Sequence, residues 1–377
     1  MQRKGSAELP LHYGKAPRWL VSRMEKLGQE IVTIIVDEYG TDELLRRISD
    51  PFWFQALGCV LGYDWHSSGV TTVVTGVLKR AAVPEKHGFA ICGGKGKASR
   101  QTPKEIAKIG DNFGFSKEVV RRLQYASRIS AKVDNAGIQA GYKLYHHAFF
   151  IAIDGKWAVV QQGMCPQDRT ARRFHWLSNN VKDYVVEPHD AIVGDVVHEV
   201  ALDMTAKGSE GCRKTSVDIA KEPNGKVKNL IMSITPSTQK SLDEWMSKTL
   251  HRSSREYLSD MLSMPRRINW KALGQVYEFQ PRNYEELLAF KGIGPATVRG
   301  LALIAELIYG EKPSWKDPVK YSFAYGGKDG VPYPVDRKAM DHSIEVLKQV
   351  INEAKVTDKE KAKSLRRLQR FVPDDIS

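Results

Sequence analysis

Two stretches of this sequence combine glycine with positive charge or with a free helix end, and both suit an anionic ligand. In Phe89-Ala-Ile-Cys-Gly-Gly-Lys-Gly-Lys-Ala-Ser-Arg100, Gly93, Gly94 and Gly96 let the backbone approach a ligand while Lys95, Lys97 and Arg100 supply charge for phosphate. The spacing is not that of a Walker loop, and a solvated surface loop would use the same residues. In Phe290-Lys-Gly-Ile-Gly-Pro-Ala-Thr-Val-Arg299, Gly292 and Gly294 bracket Ile293, and Pro295 suits the first position of a helix. The amides at that helix start, those of Ala296 and Thr297 among them, lie at the positive end of the helix dipole, where a phosphate oxygen can bind. Ile293 is expected to turn inward and lock the turn.

Further basic groups extend the same chemistry. Arg169, Arg172, Arg173 and Trp176 recur at helical spacing, giving a basic face with an aromatic beside it, and Arg366 and Arg367 share a C-terminal helix with Lys361, Lys363 and Arg370. Asp64-Trp-His-Ser-Ser68 places an acid, an imidazole and two hydroxyls at a helix start. Asp64 and His66 suit a metal or a substrate there, and Ser67 or Ser68 suits a plain N-cap.

The elements that must carry these groups read as α+β. Residues 1–206 read as a mixed domain: a helix from Pro17 towards Gly40, a second after Thr41, a dense apolar run from Asp50, helices near 103–110 and 117–130, and a hairpin of Ala148–Ile153 and Lys156–Gln161 about the turn Asp154-Gly155. The breaker-rich stretch 207–240 reads as a linker. Residues 241–377 read as an all-α domain. Asn283 and Glu286 form a capping pair before the glycine turn, and Met340, Ile344, Leu347 and Ile351 share one face of a late helix.

Composition narrows the partner. Fifty-seven Lys and Arg against 44 acids give a net charge of +13, which favours a polyanion. No apolar run approaches the length of a membrane span and no signal core follows Met1, so a cytoplasmic protein without a membrane partner is expected. Cys59, Cys92, Cys165 and Cys212 form no CxxC pair, so neither a zinc site nor an iron–sulfur cluster, nor any other cofactor, is expected.

The Phe290–Gly310 stretch resembles the helix-hairpin-helix motif of DNA repair and replication proteins, which grips the DNA backbone without reading sequence. A hairpin followed by the loop Gly326–Pro334 and then Asp336 at a helix start is similar to base-excision DNA glycosylases and their lyase relatives. The resemblance implies that Asp336 assists attack at the sugar C1′. The position where lyase members carry lysine holds Ala296, so a Schiff-base amine must come from elsewhere. A second ammonium nearby is a general way to obtain a neutral amine, and Lys95 and Lys97, two apart in the glycine-rich loop, fit that need better than any other pair, with Lys328 as the alternative. Across nearly its full length the chain also resembles a family of unknown function found mainly in archaea and thermophilic bacteria. Segments such as Asp-Pro-Phe-Trp-Phe-Gln-Ala-Leu-Gly and Gly-Gly-Lys-Gly-Lys carry that likeness.

The expected activity is therefore abasic-site lyase chemistry on double-stranded DNA containing an abasic or damaged site, with possible glycosylase activity. A metal-dependent nuclease using Asp64, His66, His146, His147 and Asp154 is the second reading. A non-catalytic DNA-binding protein is the third.

Overall fold

A computed structural model describes residues 18–63, 69–194, 196–234, 261–319 and 337–369. The first helix, α1 (Arg18–Ser49), is broken at Gly40, whose φ of 82° lies in the left-handed region, as the sequence predicts. Then follow α2 (Pro51–Leu61), α3 (Gly69–Ala81), the short α4 (Pro84–His87) and the first strand, β1 (Phe89–Lys95). Asp50 caps α2 by accepting from the amides of Phe52 at 2.8 Å and Trp53 at 3.2 Å, and every residue of that helix is buried.

After a 3-10 turn, Gly96–Gln101, come α5 (Thr102–Asn112) and α6 (Lys117–Lys132), close to their expected places. A π-turn, Val133–Gly137, then leads into β2 (Ile138–Gln139). The predicted hairpin is present as β3 (Lys143–Ala152) and β4 (Trp157–Cys165). Gly155 takes a φ of 80°, and the Asp154 carboxylate accepts from the Lys156 amide at 3.0 Å. The strands β5 (Thr170–Leu177), β6 (Ala191–Gly194) and β7 (Leu202–Asp203) complete the set. One five-stranded antiparallel sheet has the order β1-β3-β4-β5-β6, and β2 pairs with β7 apart from it.

The segment read as a basic helix at 169–176 is thus a strand. Its arginines do sit at helical spacing. However, β5 lies between β4 and β6 with both faces covered, so the alternation that marks a half-exposed strand is missing from its sequence. Arg172 and Arg173 are fully buried, and only Arg169, in the β4–β5 turn at φ 55°, is exposed.

The described part of the expected linker is likewise ordered structure. It comprises a 3-10 turn at Lys207–Ser209, α7 (Glu210–Ala220) and helical residues 224–234. Its Gly, Pro and Asn residues punctuate helix boundaries, while Cys212, Val217, Ile219 and Val227 enter the same core as Leu301 and Ala302. The later helices are α8 (Trp270–Phe279), α9 (Tyr284–Ala289), α10 (Pro295–Tyr309), α11 (Arg337–Glu353) and α12 (Asp358–Gln369).

Two cores share the sheet. On one face Phe149, Ile151, Val159, Phe174 and Trp176 pack with side chains of α5 to α10. On the other, Phe89, Ile91, Phe150 and Val160 pack with α1 to α3 and with Val346, Leu347, Val350, Ile351 and Leu368 of α11 and α12. The helices after 241 are therefore all α as read, but they divide between the two faces of the sheet.

Candidate functional site

The glycine hairpin forms as its local chemistry dictates. Asn283 accepts from the Glu286 amide at 2.9 Å, and Glu286 reaches back to the Arg282 amide at 2.8 Å. Gly292 needs its glycine: at φ 93° an added Cβ would lie 2.8 Å from the Ala272 Cβ. Ile293 is fully buried, and Gly294, the N-cap of α10, faces open space. The first-turn amides of α10, those of Ala296 and Thr297 included, have no intrahelical carbonyl within reach. The Thr297 side chain is buried and its hydroxyl accepts from the Asn269 amide at 3.4 Å, so this residue offers a ligand backbone only.

Three side chains hold the turn from behind. Asn269 donates to the Gly292 carbonyl at 3.2 Å and Gln139 to the Pro295 carbonyl at 2.9 Å, while Lys132 donates to the carbonyls of Phe290, at 3.2 Å, and Ile293. With these carbonyls tied inward, Gly292 and Pro295 are exposed, and Gly294 and Ala296 are half-buried. Exposed Lys291, Arg266, Arg267 and Lys271 lie in the turn or in the segment that supports it, and none of them stood out in the sequence.

The Gly-Lys stretch is built differently from its expected loop. β1 runs on through Gly93 and Gly94 to Lys95. At Gly93 a Cβ would come within 2.2 Å of the His147 carbonyl, so this glycine serves strand packing and not ligand approach. Glu105 accepts from the Gly93 amide at 2.7 Å, and Lys79 binds both Glu105 at 2.6 Å and the Gly93 carbonyl at 2.9 Å. Lys95, Lys97 and Arg100 are exposed, the last two on the 3-10 turn.

Lys95 begins a polar row. It stands opposite His146, His146 opposite Gln162, and Gln162 opposite Arg173, so four strands present these side chains on one sheet face. Lys95 lies 5.8 Å from the Tyr145 ring centroid, and Arg173 donates to Gln55 at 3.0 Å and to His175 at 2.9 Å. The Thr75 hydroxyl gives its proton to the Thr71 carbonyl at 2.7 Å, so its oxygen accepts the Nε2 proton of His146 at 2.9 Å. Among the described residues His146 Nδ1 is left with a lone pair, buried and without a partner, as is the Thr71 hydroxyl oxygen. Burial first, then His147 and Lys95, push the His146 pKa down to about 3, so the ring is a neutral acceptor at physiological pH.

The opposite face carries a second chain of polar groups. Ser127 donates to His147 Nε2 at 2.8 Å, His147 Nδ1 donates to the Gln161 side-chain oxygen at 2.8 Å, and Gln161 donates to Asp134 at 2.6 Å. Burial lowers the His147 pKa to about 4. Asp134, in the π-turn, also meets Trp176 Nε1 at 3.1 Å and His189 Nε2 at 2.5 Å. His189 borders a cleft of about 260 Å³ lined by Glu187, Asp203, Thr205 and Asp317 over an apolar floor of Ile192 and Val319. Burial raises the Asp203 pKa against the two bonds it receives from Thr205. Arg172, expected on a DNA-facing surface, instead makes a fully buried pair with Asp317 at 2.7 Å and lies 4.3 Å from the Tyr142 ring centroid.

Of the histidines and acids proposed as nuclease ligands, the three that are described, His146, His147 and Asp154, do not gather. His146 and His147 face opposite sides of the sheet, and Asp154 sits at a hairpin tip paired with Lys156 at 2.9 Å. Asp64, His66, Lys328 and Asp336 lie outside the described residues. No group of three or more His, Cys, Asp or Glu among the described residues is arranged to hold a metal. Arg366 is exposed, whereas Arg367 lies against the C-terminus of α2 and donates to the Val60 carbonyl at 3.4 Å, a favourable place for a cation. Sequence reading missed Lys132, Asp134 and His189, because their partners are remote in the chain.

No helix among the described residues is long and apolar enough to cross a membrane. No curated protein and no solved structure matches the chain. A family model does match it over residues 5–335, and the chain belongs to that family, described as a protein of unknown function (DUF763).

Proposed function

We propose that this cytoplasmic protein binds the backbone of double-stranded DNA through the glycine hairpin and acts at abasic or damaged sites by lysine-dependent β-elimination, with base removal as a possible preceding step. The observation that carries the binding half is the open N-terminus of α10 at Gly294, flanked by exposed cations and held from behind by its carbonyls. A helix start of this kind takes an anion without regard to base sequence, as an abasic-site enzyme requires. The net charge of +13 supports the same partner. In the chemical half, an amine condenses with the C1′ aldehyde, the C2′ proton is removed, and the C3′–O bond breaks with phosphate as leaving group. Lys95, Lys97 and Lys328 are the amines that the sequence suggests, with Asp336 stabilising positive charge at the sugar.

Gly294→Val separates binding from folding. Gly294 has an extended backbone, φ −134°, that any residue adopts, and a Cβ added there meets nothing within 4 Å among the described residues. The variant is expected to keep the wild-type melting temperature and to lose roughly tenfold in affinity for every duplex alike. Gly292→Val is unsuitable, because strain and the Ala272 contact would destabilise the turn itself. Titrating a fluorescent duplex at several salt concentrations checks the reading: the log–log slope should be about −0.9 for each phosphate neutralised. Salt-independent binding, or wild-type affinity in Gly294→Val, would overturn it.

A further inference from the structure

A lysine that is none of the three suggested by the sequence is bonded to the hairpin itself. Lys132 ends α6, and its Nζ comes up beneath the turn to reach the carbonyls of Phe290 and Ile293. The side chain is half-buried, and among the described residues no carboxylate lies within ion-pair distance of it. The Tyr125 hydroxyl, two turns earlier on the same helix, donates to Glu285 of α9, so α6 and the hairpin are fastened together at two points. By contrast, Lys95 projects from β1 towards Tyr145, and Lys97 is exposed on the turn that follows.

From this placement we infer that Lys132 is the amine that forms the imine with an abasic-site aldehyde. The inference rests on the lyase reading above. A neutral amine has two N–H donors and one lone pair. With the donors spent on Phe290 and Ile293, the lone pair points away from both carbonyls. Burial lowers the pKa of this ammonium, which favours the neutral form that attack needs. A DNA backbone held at the start of α10 would lie beside the residue whose carbonyl Lys132 binds.

In the step itself, Nζ bonds to C1′ and the carbonyl oxygen leaves as water, taking the two amine protons. The imine nitrogen that remains is double-bonded to C1′. When protonated it keeps one N–H, enough to hold one of the two turn carbonyls while the sugar is attached.

The test is borohydride trapping of the full-length protein on a duplex with one abasic site, in EDTA. Hydride adds to the imine carbon and leaves a stable amine bond. Peptide mapping of the wild-type adduct should find the sugar on Lys132. Lys132→Arg keeps donors for both carbonyls but stays protonated, so trapping at saturating protein, where any change in DNA affinity drops out, should fall at least about a hundredfold. An adduct on Lys95, Lys97, Lys328 or any other lysine overturns the assignment and leaves the lyase reading standing. If Lys132→Arg fails to fold, the peptide map of the wild-type adduct still decides. A wild-type protein that binds abasic DNA and never traps overturns the lyase reading and this inference with it.

Discussion

Between pH 7 and pH 5 the folded state is expected to lose ~4 kcal/mol through His146 and His147 alone. Their folded pKa values are about 3 and about 4, against an ordinary histidine value near 6.5, because burial opposes the charged ring. A histidine depressed in this way contributes stability that is complete above its unfolded pKa and is lost as pH falls towards its folded one. Each ring therefore costs about 1.36 kcal/mol per unit below 6.5, or roughly 2 kcal/mol at pH 5. His175, also driven well down by burial and by Arg173, adds in the same direction. Asp50, Asp134, Asp190 and Asp203 are raised by burial and act in the opposite sense as pH falls through their folded values, which offsets part of the loss. Urea unfolding at pH 7, 6 and 5 reads the balance. A stability that stays flat or rises over this interval would show that the cost of charging the rings does not exceed the opposing gain from these carboxyls.

Asp134→Ala is the substitution expected to damage the fold most, by roughly 3–5 kcal/mol, because it strips a buried carboxylate from three donors at once. Gln161, Trp176 and His189 would each lose an acceptor inside a dry core, and the chain through His147 to Ser127 would lose its end. Asp134→Asn is predicted to be milder, costing about 1–2 kcal/mol. Its amide oxygen can face Gln161 and Trp176 while its nitrogen donates to His189 Nε2, provided that His189 moves its own proton to Nδ1. Denaturant midpoints rank the two variants, and nitrogen chemical shifts of His189 report the tautomer. Equal losses for Ala and Asn would mean that the carboxylate's acceptors are not what holds this region.

The parts of the fold that were legible are those written in neighbouring residues. Asn283, Gly292 and Pro295 specify the hairpin because capping, left-handed backbone and helix initiation are local demands, and Asp154-Gly155 specifies its turn for the same reason. β5 was not legible, since a strand covered on both sides loses its alternation and Arg172 and Arg173 then imitate a helix face. Lys132 gave no signal: a lysine in the last turn of a helix usually just complements the dipole, and its partner Phe290 is 158 residues away. The same holds for Asp134 and His189, 55 residues apart and joined only by the fold. Gly93 illustrates the reverse error, a glycine assigned to a ligand that in fact admits the backbone of β3.

The helices α11 and α12 lie across α2, near the other end of the chain, and their Val346, Leu347, Val350, Ile351 and Leu368 fill a core otherwise made by α1 to α3 and the sheet. During synthesis, then, the core side chains of α1 and α2 wait for those near 350 before they are sealed from water. The opposite core can consolidate sooner, around Cys92 to Val319, which leaves a partly folded chain with one finished side and one greasy open side. Such an intermediate is a natural client for a chaperone. Pulse-labelling during refolding should find the amides of α2 among the last to become protected, late for a helix so rich in apolar residues.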